Sequence, residues 1–169
     1  QNGFAQQQQQ NTAWAVYGSG EYEVSPVLTL RGGLRYTRDE KDFSARRLQS
    51  PIGGAPIGPL TASPSASNVS GDLSAVFAVN DEVNLFGRIA RGFRAPSIQG
   101  RILFGDSLSV ADEETITSFE AGIKADLFER RARLGFTVFN YRVKDQQLTA
   151  VGGAANFNTL INADRSNGK

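Results

Sequence analysis

The chain has 169 residues, and its 18 basic and 17 acidic side chains give a formal net charge of +1, which provides no general attraction to nucleic acid. It contains no cysteine and no histidine, which excludes disulfides, thiol catalysis, Ser-His-Asp catalysis and the usual zinc sites within this sequence. We therefore expect no enzyme, no catalytic residues, no metal site and no cofactor.

The N-terminal segment, residues 1–11, contains five consecutive glutamines and shows no periodic pattern. We predict a loop or a disordered end there, because so polar a tract cannot offset the entropy of its own ordering. A period of two residues begins at Thr12 and predicts a first β-strand, which ends before a turn at Pro26. One face of this strand is expected to carry Trp14, Val16, Gly18, Gly20 and Tyr22.

The second predicted strand has the clearest pattern in the chain. Leu34 and Tyr36 alternate with Arg35 and Thr37. A helix would scatter these residues around its circumference, whereas a strand separates them onto two faces. Residues 44–68 follow, and their many prolines and glycines predict a long irregular loop.

A third strand, from Val69, and a fourth, from Val83, flank a predicted tight turn at residues 80–82. Both strands again alternate apolar and polar side chains, as half-buried strands do. Their apolar faces carry Leu73, Phe77, Leu85 and Ile89. A second long loop is expected over residues 94–113.

The last three predicted strands are separated by one short turn and one long loop. The strands cover 114–127, a segment beginning at Leu134, and about 158–165; the turn covers 128–131 and the loop about 145–157. In the fifth strand, Phe119 and Ile123 alternate with Glu120 and Lys124. Between residues 139 and 145 the facing of the sixth strand is ambiguous, and the pattern allows a bulge.

The predicted connections alternate between short and long along the chain. Outer-membrane barrels have this property, because their periplasmic turns are short and their extracellular loops are long. No stretch approaches the roughly 20 apolar residues of a transmembrane helix, but strands of roughly ten residues fit a tilted crossing. We therefore predict an all-β fold of antiparallel transmembrane β-barrel hairpins, with about seven strands in residues 12–169.

The two faces of each strand are expected to meet different surroundings. An arginine that faces lipid at the membrane midplane costs about 2–4 kcal/mol, so charged side chains are assigned to the lumen. The lumen-facing candidates are Arg31, Arg35, Arg88, Glu120 and Lys124. The lipid-facing candidates are Leu28, Leu30, Leu34, Tyr36, Leu73, Phe77, Leu85, Ile89, Phe119 and Ile123. The lumenal arginines would contact a plug or an anionic substrate, or would simply form interior ion pairs.

Two further clusters have simple structural explanations. Asp112, Glu113 and Glu114 could bind Ca²⁺ or serve acid–base chemistry, but consecutive strand residues point to alternate faces, which favours a solvated loop rim. The segment Gly18-Ser19-Gly20 lacks the third glycine and the helix of a nucleotide-binding loop, which favours close strand packing.

Basic and aromatic residues also occur together near the second long loop. The cluster consists of Arg88, Arg91, Arg94 and Arg101 with Phe86, Phe93 and Phe104. Stacking on nucleic acid is one use of such residues, but contact with lipopolysaccharide or folding of the loop against the barrel explains them better. The residues Trp14, Tyr22 and Tyr36 fit either an interfacial aromatic girdle or ordinary apolar packing.

Five segments resemble, in order and spacing, the motifs of one family. Residues 32–41 have the sequence GGLRYTRDEK, 92–97 have GFRAPS, 113–124 contain EET and SFEAGIK, 139–141 have FNY and 160–163 have LINA. They resemble the GLRYT-x-D-x-K, GF-(R/K)-AP, PET-x-x-x-(Y/F)E-x-G-x-K, FY and NA motifs of TonB-dependent outer-membrane receptors. The family usually has proline where this chain has Glu113.

The resemblance implies an interior piece of a larger barrel with about 22 strands, without the plug domain, the energy-coupling box and the terminal aromatic residue. It implies a location in the bacterial outer membrane, among lipid and lipopolysaccharide. It also implies active import of a scarce ligand, energised by the TonB complex through the absent plug region. A ferric siderophore is the expected ligand, with cobalamin and carbohydrate as the other ligands of the family. Candidate ligand-capture segments are Ile52–Leu60, Ile98–Phe104 and Val151–Ala155.

Two other functions fit parts of the sequence. A small barrel that serves as a structural anchor or a passive pore would have a similar length, but it requires an even number of strands. A barrel hydrolase would need catalytic groups that a chain without histidine does not offer.

Overall fold

The computed structural model describes residues 2–129, 131–152 and 157–169. Within these residues the chain is all β, and it contains no helix of the length and apolarity that a membrane crossing requires. The ten strands are β1 Phe4–Ser25, β2 Leu28–Gln49, β3 Ile57–Ala62, β4 Ser65–Ala78, β5 Val83–Arg94, β6 Ser97–Gln99, β7 Ser109–Ala111, β8 Glu114–Leu127, β9 Ala132–Gly152 and β10 Phe157–Gly168.

Seven long strands form one continuous antiparallel sheet in the order β1-β2-β4-β5-β8-β9-β10. Each is a neighbour of the long strand that precedes it in the chain, as in a meander of hairpins. The prediction of antiparallel β-hairpins is therefore confirmed, although the described residues form ten strands and not about seven. Three short strands are additional: β3 pairs with β2 beside the main path, and β6 pairs with β7 in a separate ribbon.

The short turns lie together at one end of the sheet, as the sequence predicted. β1 and β2 are joined by Pro26 and Val27. Between β4 and β5, the Oδ1 atom of Asn80 accepts hydrogen bonds from the backbone N–H groups of Glu82 and Val83, at 2.9 and 2.8 Å. This side chain replaces the backbone partners that a tight turn leaves unpaired. The predicted turn at 128–131 also lies between two strands, although residue 130 is outside the described residues.

The expectation of a loop or disordered end at residues 1–11 is wrong. β1 begins at Phe4, and its glutamines pair along β2, with Gln6 opposite Arg46 and Gln10 opposite Asp42. The prediction failed because it considered side chains alone. The backbone of an extended β2 provides hydrogen-bond partners for every second residue of β1, whatever the side chains are.

The three predicted long loops are also largely ordered. β2 continues to Gln49, β3 folds back onto it, and β4 begins at Ser65, so 44–68 is mostly strand. The loop 94–113 contains the β6–β7 ribbon. β9 continues to Gly152, and only the connection 153–156, outside the described residues, separates it from β10. The segment 44–68 and the described part of 145–157 extend the main sheet at the end opposite the short turns, and the β6–β7 ribbon lies at the same end as a separate sheet.

The suspected bulge in β9 is not present among the described pairs. Neither ladder of β9 shifts register, and only Asp145, with a φ of 55°, interrupts the pairing with β10. Phe139 and Tyr141 lie on the same face as Glu120 and stack on each other at 6.5 Å. The facing was ambiguous because these aromatic side chains lie on the more polar face of the sheet.

Close packing of the sheet predicts that one glycine is essential. A Cβ atom at Gly122 would lie 2.4 Å from the Phe136 carbonyl oxygen and 2.7 Å from the Phe86 ring, whereas one at Gly135 would meet nothing within 4 Å. We expect Gly122→Ala to destabilise the complete barrel by about 1–3 kcal/mol. Heat-modifiable migration and the urea midpoint of the receptor measure this effect. Gly135→Ala is the matched control, and equal behaviour of the two variants would contradict the packing described.

Candidate functional site

The register divides the sheet into two faces, because residues directly opposite each other in an antiparallel pair point the same way. All ten lipid-facing candidates lie on one face, called here the apolar face. For example, Leu85 is opposite both Phe77 and Ile123. All five lumen-facing candidates lie on the other face, called here the polar face, where Arg88 is opposite Glu120. The segregation predicted from the sequence is thus present in the ladder.

Charged side chains on the polar face pair mainly with each other. Arg31 donates to the carboxylate of Glu21, which is directly opposite on β1. Arg88 lies 3.2 Å from Asp72 Oδ2. These pairs are two-fifths to three-fifths exposed here, and such pairs contribute at most about 1 kcal/mol each. These contacts agree with the alternative in which the arginines form ion pairs with neighbouring carboxylates.

Two further charges on the polar face contact aromatic rings. The Arg35 guanidinium lies 5.6 Å from the centroid of Tyr17 and donates to Thr37 Oγ1 at 3.0 Å. Lys124 Nζ lies 5.1 Å from the Phe86 ring. Cation–π contacts of this kind add order to a polar wall without neutralising its charge.

The apolar face is exposed along its length. Leu34 is 69% exposed and Leu73 55%, and a continuous apolar surface across six strands far exceeds what soluble monomers leave in water. The rings of Trp14 and Tyr36 contact each other at 5.5 Å. Tyr22 lies eight residues along β1 from Trp14. In a strand tilted by about 40° this spacing corresponds to roughly 20 Å along the membrane normal, which is close to the height of the apolar band of a membrane barrel.

At the end opposite the short turns, the connection between β5 and β8 folds back over the polar face. We call this connection, residues 95–113, the mouth loop. Ile102, which is fully buried, packs on Phe43 and Ala45 of β2. These β2 residues follow Arg31 and Arg35 at odd-numbered positions, so the mouth loop covers the polar face rather than the apolar one.

The tip of the mouth loop is held by a buried arginine that the sequence analysis did not identify. Arg47, only 3% exposed, donates to the carbonyl oxygens of Ala55, Ile102 and Gly105 at 2.8, 3.1 and 3.2 Å. It also lies 2.9 Å from Asp106 Oδ1. Arg47 therefore connects the β2–β3 connection to the mouth loop.

The base of the mouth loop is held from β9. The Nε2 atom of Gln147 donates to the carbonyl oxygens of Ala95 and Asp112 at 2.9 and 2.8 Å, and its Oε1 atom accepts from Ser97 Oγ at 2.7 Å. Its backbone N–H donates to Glu114 Oε2 at 2.8 Å. One side chain thus binds both stems of the loop.

Two more side chains hold the same base. On β10, Asn162 accepts from the Asp112 N–H at 2.8 Å and donates to the Asp112 carbonyl at 3.1 Å. On β2, Lys41 Nζ donates to the Pro96 carbonyl at 2.7 Å. The acidic segment 112–114 is therefore part of this base, and within the described residues no group of three potential ligands converges on a metal position.

A cavity of about 390 Å³ lies between the mouth loop and the start of β10. Its lining includes Arg101, Phe104, Asp106, Ser107, Asn158 and Thr159. The Arg101 guanidinium lies 5.1 Å from the Phe104 ring, and the Oδ1 atom of Asn158 is buried without a hydrogen-bond partner. This volume and this mixture of charged, amide, hydroxyl and aromatic groups suit a small polar ligand.

Of the three candidate ligand-capture segments, one lines the cavity, one lies beside it, and one is partly outside the described residues. Ile98–Phe104 lies in the mouth loop and contributes Arg101 and Phe104 to the cavity. Ile52–Leu60 lies beside it and contributes the Ala55 carbonyl that binds Arg47. Part of Val151–Ala155 lies outside the described residues.

Comparison with known proteins agrees with this architecture. The family model described as TonB dependent receptor-like, beta-barrel matches residues 1–169. The ferric yersiniabactin uptake receptor FyuA from Yersinia pestis aligns with a TM-score of 0.73 and 20% identity over 85% of this chain and 22% of its own. The ferric-catecholate import receptor Fiu from E. coli K12 aligns with a TM-score of 0.53 and 16% identity, over 80% and 20%. The chain therefore spans about a fifth of the length of these structures.

The buried guanidinium predicts a strong effect of one substitution. Arg47→Ala leaves three carbonyl oxygens and Asp106 without their partner, which we expect to cost about 3 kcal/mol of mouth-loop stability. In the assembled receptor, trypsin should then cleave after Arg101 at least tenfold faster, because cleavage follows local opening.

The control for this prediction is the neighbouring Arg46→Ala. Arg46 is exposed and donates to Gln6 Oε1 at 2.6 Å, away from the mouth loop. If both variants, or neither, accelerate cleavage after Arg101, Arg47 does not hold the tip.

Proposed function

This chain belongs to the TonB-dependent receptor β-barrel family, and from that premise we propose that its strands form part of the wall of a receptor that actively imports a scarce ligand. The family and its barrel fold place the chain in the bacterial outer membrane. The wall performs no bond chemistry in this proposal. It separates lipid from lumen and carries the loops that bind the ligand.

In this proposal the apolar face meets lipid and the polar face meets the lumen. The support is energetic, since charged groups such as Arg35 and Arg88 would each cost about 2–4 kcal/mol against hydrocarbon. The short turns then lie on the periplasmic side and the mouth loop on the outer side. Lipid would cover the apolar face, lipopolysaccharide would contact its outer rim, and a plug outside this chain would meet the polar face and link it to the TonB complex.

The observation that carries the transport role is the cavity that the mouth loop forms over the polar face. A passive wall needs no such cavity, whereas a receptor needs a site on its outer side. Arg101, Asn158 and Thr159 offer a cation, an amide and a hydroxyl group, while the Asp106 carboxylate in the same lining is paired with Arg47. These groups suit an anionic ligand rich in oxygen.

We propose a ferric siderophore as the ligand, with cobalamin and carbohydrate as alternatives. FyuA and Fiu, named as receptors for ferric yersiniabactin and ferric catecholate, support this at the level of the fold. The Arg101 guanidinium and the Phe104 ring in the cavity support it independently, because a ferric chelate of that kind is anionic and partly aromatic. The acidic lining residue Asp106 is paired with Arg47.

The assignment of the faces is tested by adjacent substitutions on β2. Leu34→Arg introduces a charge on the apolar face and should impair assembly of the complete receptor, by about 2–4 kcal/mol if the position is near the midplane. Arg35→Leu, one residue later and on the opposite face, should assemble normally. Heat-modifiability in outer-membrane fractions reports both, and equal tolerance of the two would refute the assignment.

The import role is tested by uptake of radiolabelled iron as a ferric catecholate complex. Cells that express the complete receptor should take up the complex only when TonB is present. The double variant Arg101→Ala/Phe104→Ala should raise the apparent Kd at least tenfold, because it removes the cation and its aromatic support. Arg46→Ala is the control, and uptake that persists without TonB would indicate a passive pore instead.

A further inference from the structure

The mouth loop is attached to the sheet in two different ways. At its tip, the loop is held by the buried guanidinium of Arg47, by the packing of Ile102, and by Gln7 Nε2, which donates to the Gly100 carbonyl at 2.7 Å. At its base, Gln147 and Asn162 bind the backbone of both stems. These two residues are directly opposite each other on β9 and β10, so they act on the loop from one place.

The base attachment has a specific chemical requirement. Gln147 must donate both N–H groups of its amide, one to each stem, while its oxygen accepts from Ser97. Asn162 then satisfies both the N–H and the carbonyl of Asp112. A carboxylate at position 147 could accept from Ser97 but could not donate to either carbonyl.

We infer that Gln147 and Asn162 form a clamp that positions the mouth loop for ligand binding. The inference rests on the proposed function, because the loop carries the Arg101 and Phe104 side chains of the proposed ligand site. The clamp binds the backbone carbonyls of Ala95 and Asp112, so it holds one point on each stem whatever side chains those two residues carry. Lys41 supports the same base through the Pro96 carbonyl.

The clamp also gives a physical role to motif residues that the transport function leaves unexplained. Lys41, Pro96, Glu114 and Asn162 belong to four different segments of the chain, and all four are hydrogen-bonded at the base of one loop. These four residues are far apart in the chain. They meet because the strands that carry or flank them all pass the base of the mouth loop.

The clamp is tested by the accessibility of Ala111 in the complete receptor. Ala111 is fully buried in β7, where it precedes Asp112 and pairs with Ser97 of the other stem. The neighbouring Val110 is 41% exposed. The 169 residues contain no cysteine, so Ala111→Cys and Val110→Cys introduce single thiols, once any cysteine elsewhere in the polypeptide has been replaced. A membrane-impermeant maleimide on intact cells then reports opening of the loop base.

We expect Gln147→Glu to raise the labelling rate of Ala111→Cys at least tenfold, since two hydrogen bonds are lost and each changes the opening equilibrium several-fold. Gln146→Glu is the matched control. The Gln146 Oε1 atom accepts from Ser166 Oγ, and a carboxylate preserves that bond. The thiol at Val110→Cys should be labelled rapidly in every variant, and heat-modifiability should remain normal.

The same variants are then tested for binding of the ferric catecholate complex. Gln147→Glu should raise its Kd at least tenfold without changing the number of binding sites. Unchanged labelling of Ala111→Cys in an assembled Gln147→Glu receptor would overturn the clamp. Faster labelling with unchanged affinity would overturn its positioning role.

Failure of the proposed function gives a different result. If the complete receptor with an intact clamp binds none of the probe, the transport assignment to this ligand fails. The labelling ratio between Gln147→Glu and Gln146→Glu still decides whether the clamp holds the loop.

Discussion

A strand that crosses hydrocarbon has no water to satisfy its backbone, so each N–H and carbonyl group must find its partner in a neighbouring strand. Antiparallel pairs between chain neighbours meet that requirement for the strands between β1 and β10, while the outer edges of β1 and β10 have no partner strand within the described residues. The ladder in turn fixes the faces, because a slip of one residue would exchange Leu34 with Arg35. Register, rather than any single side-chain contact, is therefore what the rest of the structure depends on.

The accuracy of the sequence analysis varied with the surroundings of each strand. Where one face is apolar and the other polar, as around Leu34 and Arg35, alternation identified the strands and their facing correctly. Where both faces are polar, the same strands continue without any alternation. The glutamines of β1 were predicted to be irregular for this reason, although from Ala5 onward their pairing with β2 keeps one register. The end of β2 was predicted to be irregular because of the prolines and glycines that follow it, although it remains paired, with a register shift near Arg47.

The contacts that hold the mouth loop were the part of the structure least predictable from the sequence. Arg47 and Gln147 bind carbonyl oxygens, which every residue of the partner loop possesses, so no pattern in the partner sequence marks the contact. The motif resemblance did include Lys41, Glu114 and Asn162, but only as markers of a family. Their positions at the base of the mouth loop become visible only when the strands are assembled in register.

The register of one ladder determines both which side chains form the polar face and which side chains hold the mouth loop. The register of β1 with β2 is unbroken from the pair of Glu23 and Thr29 to the pair of Ala5 and Arg47. The side chains that carry charge in the central part of β2 are therefore continued, on the same face, by those that hold the mouth loop. A loop anchored in this way must lie over the polar face and not over the apolar one. A wall whose charged face is crossed by a fixed loop suits selective capture better than free passage, which supports the proposed receptor over a passive pore.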